Sequence, residues 1–228
     1  MKAFNILKEI RHGTRVRVKY ARRPRRYRQV LQAAENLHPK SIVEVGVYQG
    51  KRGVEMIEAA TLSHSVSEIE YFGFDLFEKM TLDTMRHELS KWPNPMAEVK
   101  AHLERTGAFV ELHAGFTQNT LPAFIAANPG RTIDFIFLDG GHAVETIRSD
   151  WSHLVRLMHP KTMVLFDDYY VDCPHLTDEF GCNKVIEALD KDFFEWRVLD
   201  DVDRFVHDGR SHNVAMVEVI RREKTGST

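Results

Sequence analysis

Short apolar runs recur along the chain and alternate with stretches of helical character. Seven of these runs predict buried strands, at residues 42–45, 71–74, 109–113, 133–138, 163–166, 196–199 and 214–219. The clearest helix is predicted over residues 143–158, where apolar side chains recur every three or four positions. Strands that alternate with helices are typical of a mostly parallel sheet with helices on both faces. The last two strands lack a long helix between them, which predicts an antiparallel hairpin at one edge.

The composition fits a single globular domain. The chain has 228 residues, of which 43% are hydrophobic, and this is enough to bury a large core. No run approaches the roughly 18–20 apolar residues of a membrane span, and the first residues lack the apolar core of a secretory signal. The two cysteines, Cys173 and Cys182, are too few for a disulfide framework. We therefore expect no transmembrane segment and a cytoplasmic location.

The net charge of −2 conceals a strong asymmetry. Residues 1–28 contain eleven lysines or arginines and one acid, whereas the rest of the chain contains 20 basic and 32 acidic residues. We predict a basic arm at 1–26, a main domain at 27–222 and a tail at 223–228. The arm would contact an anionic surface, another subunit of a homo-oligomer, or the acidic surface of its own domain. The last alternative is slightly favoured. Residues 76–94 interrupt the alternation of strands and helices and form either a lid or an ordinary surface insertion.

A strand that ends in a glycine-rich turn and then a helix predicts a nucleotide-type site. The turn reads Glu44-Val-Gly46-Val-Tyr-Gln-Gly50. Its glycines lie four apart, unlike the dinucleotide fingerprint, and a carboxylate at the strand end would repel a pyrophosphate. A cationic ligand suits Glu44 better. Asp75, at the end of the second strand, is either a turn cap or an acceptor for a ribose diol. Together these residues favour a nucleoside without phosphates.

Acidic residues follow two later strands. Asp139 and His142 come after the strand at 133–138, and Asp167 and Asp168 come after the strand at 163–166. Each of them alone is more often a helix cap or a loop residue. If the two strands are neighbours, however, their carboxyl ends meet at one edge of the sheet, about 4.8 Å apart. Crowded carboxylates favour a hard divalent cation such as Mg²⁺. His142 would be a fourth ligand or a proton acceptor.

Four motifs together resemble the class I S-adenosylmethionine-dependent methyltransferases. They are Glu44-Val-Gly-Val-Tyr-Gln-Gly50, Gly73-Phe-Asp-Leu-Phe-Glu78, Leu138-Asp-Gly-Gly-His142 and Phe166-Asp-Asp-Tyr169. Their order is similar to that of the metal-dependent O-methyltransferases that act on sugars of macrolides and on related natural products. The resemblance spans about residues 30–220. It implies a Rossmann-like, mostly parallel sheet of seven strands with helices on both faces and an antiparallel edge hairpin.

The resemblance also implies roles for individual residues. The cofactor, S-adenosylmethionine, would be bound by Glu44, Gly46, Tyr48, Gly50, Asp75, Gly115, Phe116 and Asp139. The Mg²⁺ ion would be held by Asp139, Asp167 and Asp168. His142 would be the general base, with Asp139 as the second catalytic residue. The basic arm is not part of the family pattern.

The predicted function is therefore Mg²⁺-dependent methyl transfer to a hydroxyl of a small sugar, polyol or other natural-product acceptor. One alternative is a methyltransferase that acts on RNA or on an anionic glycolipid through the basic arm. Another is a scaffold that binds S-adenosylmethionine without catalysis. Crowded carboxylates speak against the scaffold, because cofactor binding alone does not need them.

Overall fold

The computed structural model of this chain describes residues 2–173, 175–207 and 210–222, without the side chains of residues 2–11 and 207. The predicted tail at 223–228 lies outside the described residues. Eight α-helices occur in the described part. They are α1 (Lys2–Ala21), α2 (Arg25–Leu37), α3 (Lys51–Ala60), α4 (Leu82–His87), α5 (Met96–Glu104), α6 (Thr117–Ala127), α7 (Val144–Leu154) and α8 (Asn183–Glu187). None of these described helices combines the length and the apolar character that a membrane span needs.

Eight strands of the described residues form one sheet. They are β1 (Ser41–Val45), β2 (Glu70–Asp75), β3 (Phe109–Ala114), β4 (Ile133–Leu138), β5 (Met158–Tyr170), β6 (Phe194–Val198), β7 (Asp203–His207) and β8 (Arg210–Arg221). The sheet order is β3-β2-β1-β4-β5-β8-β6, and β7 pairs with β8 beside β6. The first five strands are mutually parallel, whereas β8 is antiparallel to β5, β6 and β7.

The chain order reverses between β1 and β4. From β1 the sheet grows outwards through β2 and β3, and from β4 it grows in the other direction through β5. Loops on either side of such a switch point diverge, which leaves a crevice at the carboxyl ends of the strands. This crevice is where the predicted site residues lie.

Two apolar layers cover the two faces of the sheet. Neighbouring residues of β1 show the alternation, because Ile42 belongs to one layer and Val43 to the other. Helices α1, α2, α3 and α5 contribute to the first layer, and α6, α7 and α8 contribute to the second. The prediction of an α/β sheet with helices on both faces is confirmed.

Two details of the prediction are wrong. The sheet has eight strands rather than seven, because β7 was not predicted and forms the hairpin with β8. The two strands predicted for that hairpin, β6 and β8, are nevertheless antiparallel neighbours. The long helix expected over 143–158 ends at Leu154, a 3₁₀ turn follows at Val155–Leu157, and Met158 begins β5.

The basic segment packs on the domain over residues 12–26, whose side chains the structure describes. Its helix α1 buries Val16 and Tyr20 against the first apolar layer. Besides Arg26, three described basic residues of the segment form ion pairs with acids of the domain itself, namely Arg17 with Glu35, Lys19 with Glu58 and Arg23 with Glu55. Arg26 lies in α2, which begins at Arg25, directly after Pro24.

Candidate active site

A cavity of about 1430 Å³ opens at the carboxyl ends of the parallel strands. A single ligand site usually has about 300–1,000 Å³, so this cavity has room for a nucleoside and a second small molecule. Its lining includes these predicted site residues: Gly46, Tyr48, Asp75, Gly115, Phe116, Asp139, His142, Asp167 and Asp168. Glu44 and Gly50 were also predicted to bind the cofactor, but they do not line the cavity.

Gly46 lies at the switch point between β1 and β4. Its φ is +91°, and a Cβ atom at this position would lie 1.8 Å from the backbone oxygen of Asp139. Only glycine allows the two loops to come this close. Gly50 also has a positive φ, +72°, and immediately precedes α3. It shapes the turn without lining the cavity.

Glu44 is buried behind this turn. The Tyr71 hydroxyl donates a hydrogen bond to its carboxyl group. Burial raises the pKa of Glu44 to about 8, against the lowering effects of Tyr71 and then Arg52. Because Glu44 does not line the cavity, its carboxyl group would not contact a ligand there.

Asp75 is held by backbone donors at the end of β2. Its Oδ2 accepts a hydrogen bond from the Tyr48 N–H at 2.7 Å, and its Oδ1 accepts one from the Leu76 N–H at 2.6 Å. Burial nevertheless raises the pKa of Asp75, and these N–H donors lower it only in part. Gly115 and Phe116 follow β3 and line the cavity too. The side chain of Asp75 is thus fixed where a ribose diol was predicted.

Asp139, His142 and Asp168 come together at the ends of β4 and β5. One potential ligand atom of each lies within 4.8 Å of the others, as a metal site requires. The His142 Nε2 lies 3.0 Å from the Asp168 Oδ2. These three are the described residues that converge as a cation site.

Asp167 lies apart from this group, although the sequence predicts it as a ligand. The register of β5 with β8 shifts between Phe166 and Tyr169, and Asp168 has a φ of +57°. Such a bulge lets two consecutive residues leave the usual alternation of faces. Asp168 meets His142, whereas the Asp167 carboxylate accepts hydrogen bonds from Arg26 and from the Asp168 N–H. The ligand set that the geometry favours is therefore Asp139, Asp168 and His142.

Arg26 is the site residue that the sequence did not predict. Its guanidinium forms ion pairs with Asp167 and, through Nε at 3.0 Å, with Asp203 of β7. Burial acts to lower the pKa of Arg26, but Asp167 and other neighbouring groups raise it overall. The guanidinium therefore stays charged and neutralises Asp167. No local pattern distinguished Arg26 from the other arginines around it.

The titratable groups of the site are crowded together, and this crowding shifts their pKa values. Burial most of all, and then Asp167 and Asp168, raise the pKa of Asp139 well above its ordinary value. Burial and Asp168 raise the pKa of Asp167 to about 6 despite Arg26. Burial acts to raise the pKa of Asp168, yet His142 and Arg26 lower it overall. Burial acts to lower the pKa of His142, but the contact with Asp168 raises it overall. An added cation would relieve this excess of negative charge.

The donor set fits Mg²⁺. This ion is usually held by one or two carboxylates, with water and substrate oxygens completing its shell. Asp139 and Asp168 supply such a pair, and His142 either completes the set or accepts a proton beside it. The fit rests on the convergence of the three ligand atoms and on the raised pKa of Asp139.

Comparisons with known proteins agree with this architecture. A family model described as a methyltransferase domain matches residues 43–169, which is more than half of the chain. No curated protein matches the chain in sequence.

Several solved structures share the fold. The O-methyltransferase TomG from Streptomyces achromogenes, in complex with SAM, has a TM-score of 0.60 and 16% identity, over 84% of this chain and 78% of TomG. The O-methyltransferase NovP has a TM-score of 0.60 and 19% identity, over 87% and 80%. An rRNA methylase from Streptococcus thermophilus has a TM-score of 0.58 and 9% identity, over 88% and 99%. At these identities the similarity is one of fold.

Proposed function

Since this chain belongs to the methyltransferase-domain family, which matches residues 43–169, we propose that it transfers a methyl group from S-adenosylmethionine to a hydroxyl oxygen of a small acceptor with the help of Mg²⁺. The observation that carries this proposal is the convergence of Asp139, His142 and Asp168, with one ligand atom of each within 4.8 Å of the others, at the ends of β4 and β5. A cofactor-binding scaffold would not need these groups together. The cavity, at about 1430 Å³, leaves space for an acceptor beside the nucleoside.

The chain's own residues divide the work. Asp75 would accept the ribose hydroxyls, and the turn at Gly46 would let the cofactor approach the backbone closely. Asp139 and Asp168 would hold the ion. His142 would take the acceptor's proton on its imidazole ring, and Asp168, whose Oδ2 lies 3.0 Å from Nε2, would stabilise the protonated ring.

When bound, Mg²⁺ supplies charge stabilisation for a deprotonated acceptor oxygen, and the sulfonium supplies the methyl group. The cavity walls position the two reactants, which accounts for much of the rate of a simple transfer reaction. The acceptor class that suits a chelating cation is one with neighbouring oxygens, as in a sugar, a polyol or a catechol.

The test measures binding and methyl transfer separately. Titration calorimetry follows S-adenosylhomocysteine, the product of the cofactor, and a radioactive methyl group follows transfer to a panel of vicinal diols. We expect binding of the nucleoside without added metal, and transfer that requires Mg²⁺ and stops with a chelator. Asp139→Asn and Asp168→Asn should each lower transfer at least about 100-fold, and nucleoside binding should persist in Asp168→Asn. Asp192→Asn, at an exposed position, is the control.

The outcomes separate the parts of the proposal. Transfer that is unaffected by the chelator removes the cation from the mechanism. Binding of the nucleoside without any transfer across the panel favours the scaffold alternative. Absence of nucleoside binding overturns the whole proposal.

RNA or an anionic glycolipid is a second candidate acceptor. The observation that favours it is the exposure of Arg15, Arg22 and Arg25 on the basic segment, and the fold is shared with an rRNA methylase. Deleting residues 1–26 would not be a clean test, because it also removes Arg26 from the acidic site. Exchange of the three exposed arginines for glutamine is sharper. A loss of transfer to RNA or to glycolipid vesicles alone would support this candidate.

A further inference from the structure

Glu88 joins the inserted segment 76–94 to the loop that carries His142. The backbone oxygen of Glu88 accepts a hydrogen bond from the His142 N–H at 3.2 Å. Its carboxylate accepts one from the Ala143 N–H at 3.1 Å and one from the Thr146 hydroxyl at 2.7 Å. One residue of the segment thus makes three bonds to the start of α7.

These bonds lie beside the N-terminus of α7, where the N-cap residue offers no side-chain acceptor. The residue before α7 is Ala143, which has no side-chain oxygen to accept from the first N–H groups of the helix. The Glu88 carboxylate binds beside this turn instead, at the Ala143 N–H and the Thr146 hydroxyl, while the Val144 N–H donates to the Glu179 oxygen at 3.0 Å. A negative charge at a helix N-terminus is also electrostatically favourable. Glu88 therefore helps to hold the residues around the first turn of α7.

Gly141 makes this approach possible. A Cβ atom at Gly141 would lie 2.4 Å from the Glu88 Oε2. The absence of a side chain at Gly141 therefore leaves room for the Glu88 carboxylate beside the loop that carries His142. Gly141 and Glu88 both line the cavity, so the contact lies at the wall of the site.

We propose that Glu88 is a positioning residue, which holds His142 in the place where it meets Asp139 and Asp168. The proposal rests on the proposed function for its catalytic consequence. The opposite side of the loop is held by the Gly181 N–H, which donates to the His142 oxygen at 2.8 Å. Glu88 and Gly181 thus fix the His142 backbone from two sides. Glu88 is the contact that comes from the segment over the cavity, so the placement of that segment is transmitted to His142.

The primary test observes His142 itself. In protein labelled with ¹³C at the histidine rings, His142→Gln identifies the His142 resonance. We expect Glu88→Ala to shift or broaden this signal and Glu88→Gln to restore it in part, because glutamine keeps one acceptor oxygen. Glu98→Ala is the matched control, since Glu98 is an exposed acid in the first turn of α5. An unchanged His142 signal in folded Glu88→Ala protein overturns the proposal.

The second test separates positioning from a purely structural role. We expect Glu88→Ala to lower kcat about 10- to 100-fold per folded molecule, with the KM for S-adenosylmethionine changed less than about threefold. Binding of Mn²⁺, used as a spectroscopic probe, should weaken in parallel. A loss of stability at unchanged kcat contradicts the role. If the wild-type protein transfers no methyl group at all, the proposed function fails, whereas the His142 signal still decides the role of Glu88.

Discussion

Arg26 and Asp167 are 141 positions apart in the chain, yet the guanidinium of Arg26 donates a hydrogen bond to the Asp167 carboxylate inside the protein. The pair joins α2 to the bulge of β5, and Asp203 of β7 adds a second carboxylate to the same guanidinium. This pairing accounts for the absence of Asp167 from the group of residues that could hold a cation, which is Asp139, His142 and Asp168. The same guanidinium also lies 3.8 Å from the Asp168 Oδ1, but its hydrogen bond is to Asp167.

Removal of Arg26 should therefore destabilise the fold. Arg26→Gln leaves the Asp167 carboxylate buried without its counter-charge, which typically costs about 3–5 kcal/mol of unfolding free energy. Urea unfolding measures the loss. Arg25→Gln, an exposed neighbour in the same helix turn, should change stability by less than about 0.5 kcal/mol. The double variant Arg26→Gln with Asp167→Asn should recover part of the loss. Equal stability of the Arg26 and Arg25 variants would refute this account.

Substitution of Gly46 should be much more harmful than its positive φ alone implies. In Gly46→Ala the new methyl group would lie 1.8 Å from the Asp139 backbone oxygen, so the switch-point loops must move apart. Gly130 has a φ of +76°, and a Cβ atom there would meet no other atom within 4 Å, which makes Gly130→Ala the control for backbone strain. That control should cost about 1–2 kcal/mol. Calorimetry with S-adenosylhomocysteine should show that Gly46→Ala loses binding and that Gly130→Ala keeps it. Similar effects of the two substitutions would contradict the packing argument.

Asp75 should control nucleoside affinity. Asp75→Ala removes the carboxylate expected to accept the ribose hydroxyls, as well as the acceptor of the Tyr48 N–H. Hydrogen bonds to a charged group contribute about 1.5–3 kcal/mol, so S-adenosylhomocysteine should bind about 10- to 100-fold more weakly. Asp75→Asn keeps one acceptor oxygen, so its affinity for S-adenosylhomocysteine should lie between those of the wild type and Asp75→Ala. Calorimetric affinities that do not follow this order would exclude the ribose role.

Stability should depend on pH through Asp150 in α7. Asp150 is fully buried, and burial raises its pKa to about 7 against an ordinary value of 3.8, with the Thr117 side chain opposing in part. The folded state holds the proton more tightly than the unfolded state does. The contribution of Asp150 to stability is therefore complete below about pH 4 and is lost as the pH rises towards about 7.

Asp150→Asn removes this dependence. Its gain in unfolding free energy over the wild type should grow by about 2–3 kcal/mol between pH 5 and pH 8. Denaturant unfolding at several pH values measures it. Asp192→Asn is the control, because it removes a carboxylate that already lies in water. A gain that is constant with pH would mean that Asp150 is not the responsible group.

The sequence was most informative where function and fold use local patterns. Apolar runs located the five parallel strands. The last paired residues of β4 and β5 are Leu138 and Phe166, so the acids that follow them lie at one edge of the sheet. The strand predicted at 163–166 is longer than expected, because β5 continues to Tyr170 and includes Asp168. The strand β7 was not predicted because Phe205 and Val206 are exposed, so its sequence lacks the pattern of a buried strand. It is defined by its pairing with β8. The helix α1 was not predicted because its many basic residues indicated an arm, although Val16 and Tyr20 have helical spacing and are buried.

Long-range pairings could not be predicted in the same way. The partner of Arg26 depends on how α2 crosses the sheet, and nothing near Arg26 in the sequence encodes that crossing. Glu88 lies in a segment without strong periodicity, and its role depends on how that segment meets the residues around the start of α7. The separation of Asp167 from Asp168 depends on a bulge, which is a feature of strand pairing rather than of residue type.

The position of Arg26 has a practical consequence for anyone who shortens this protein. A fragment that starts at residue 27 would contain every residue of the recognisable homology region, 43–169, and would still begin within α2. It would nevertheless lack the internal counter-ion of Asp167. If such a fragment were inactive, the cause could be the damaged acid cluster rather than a lack of methyltransferase activity. Any fragment chosen for an assay should therefore begin well before residue 43, early enough to include Arg26.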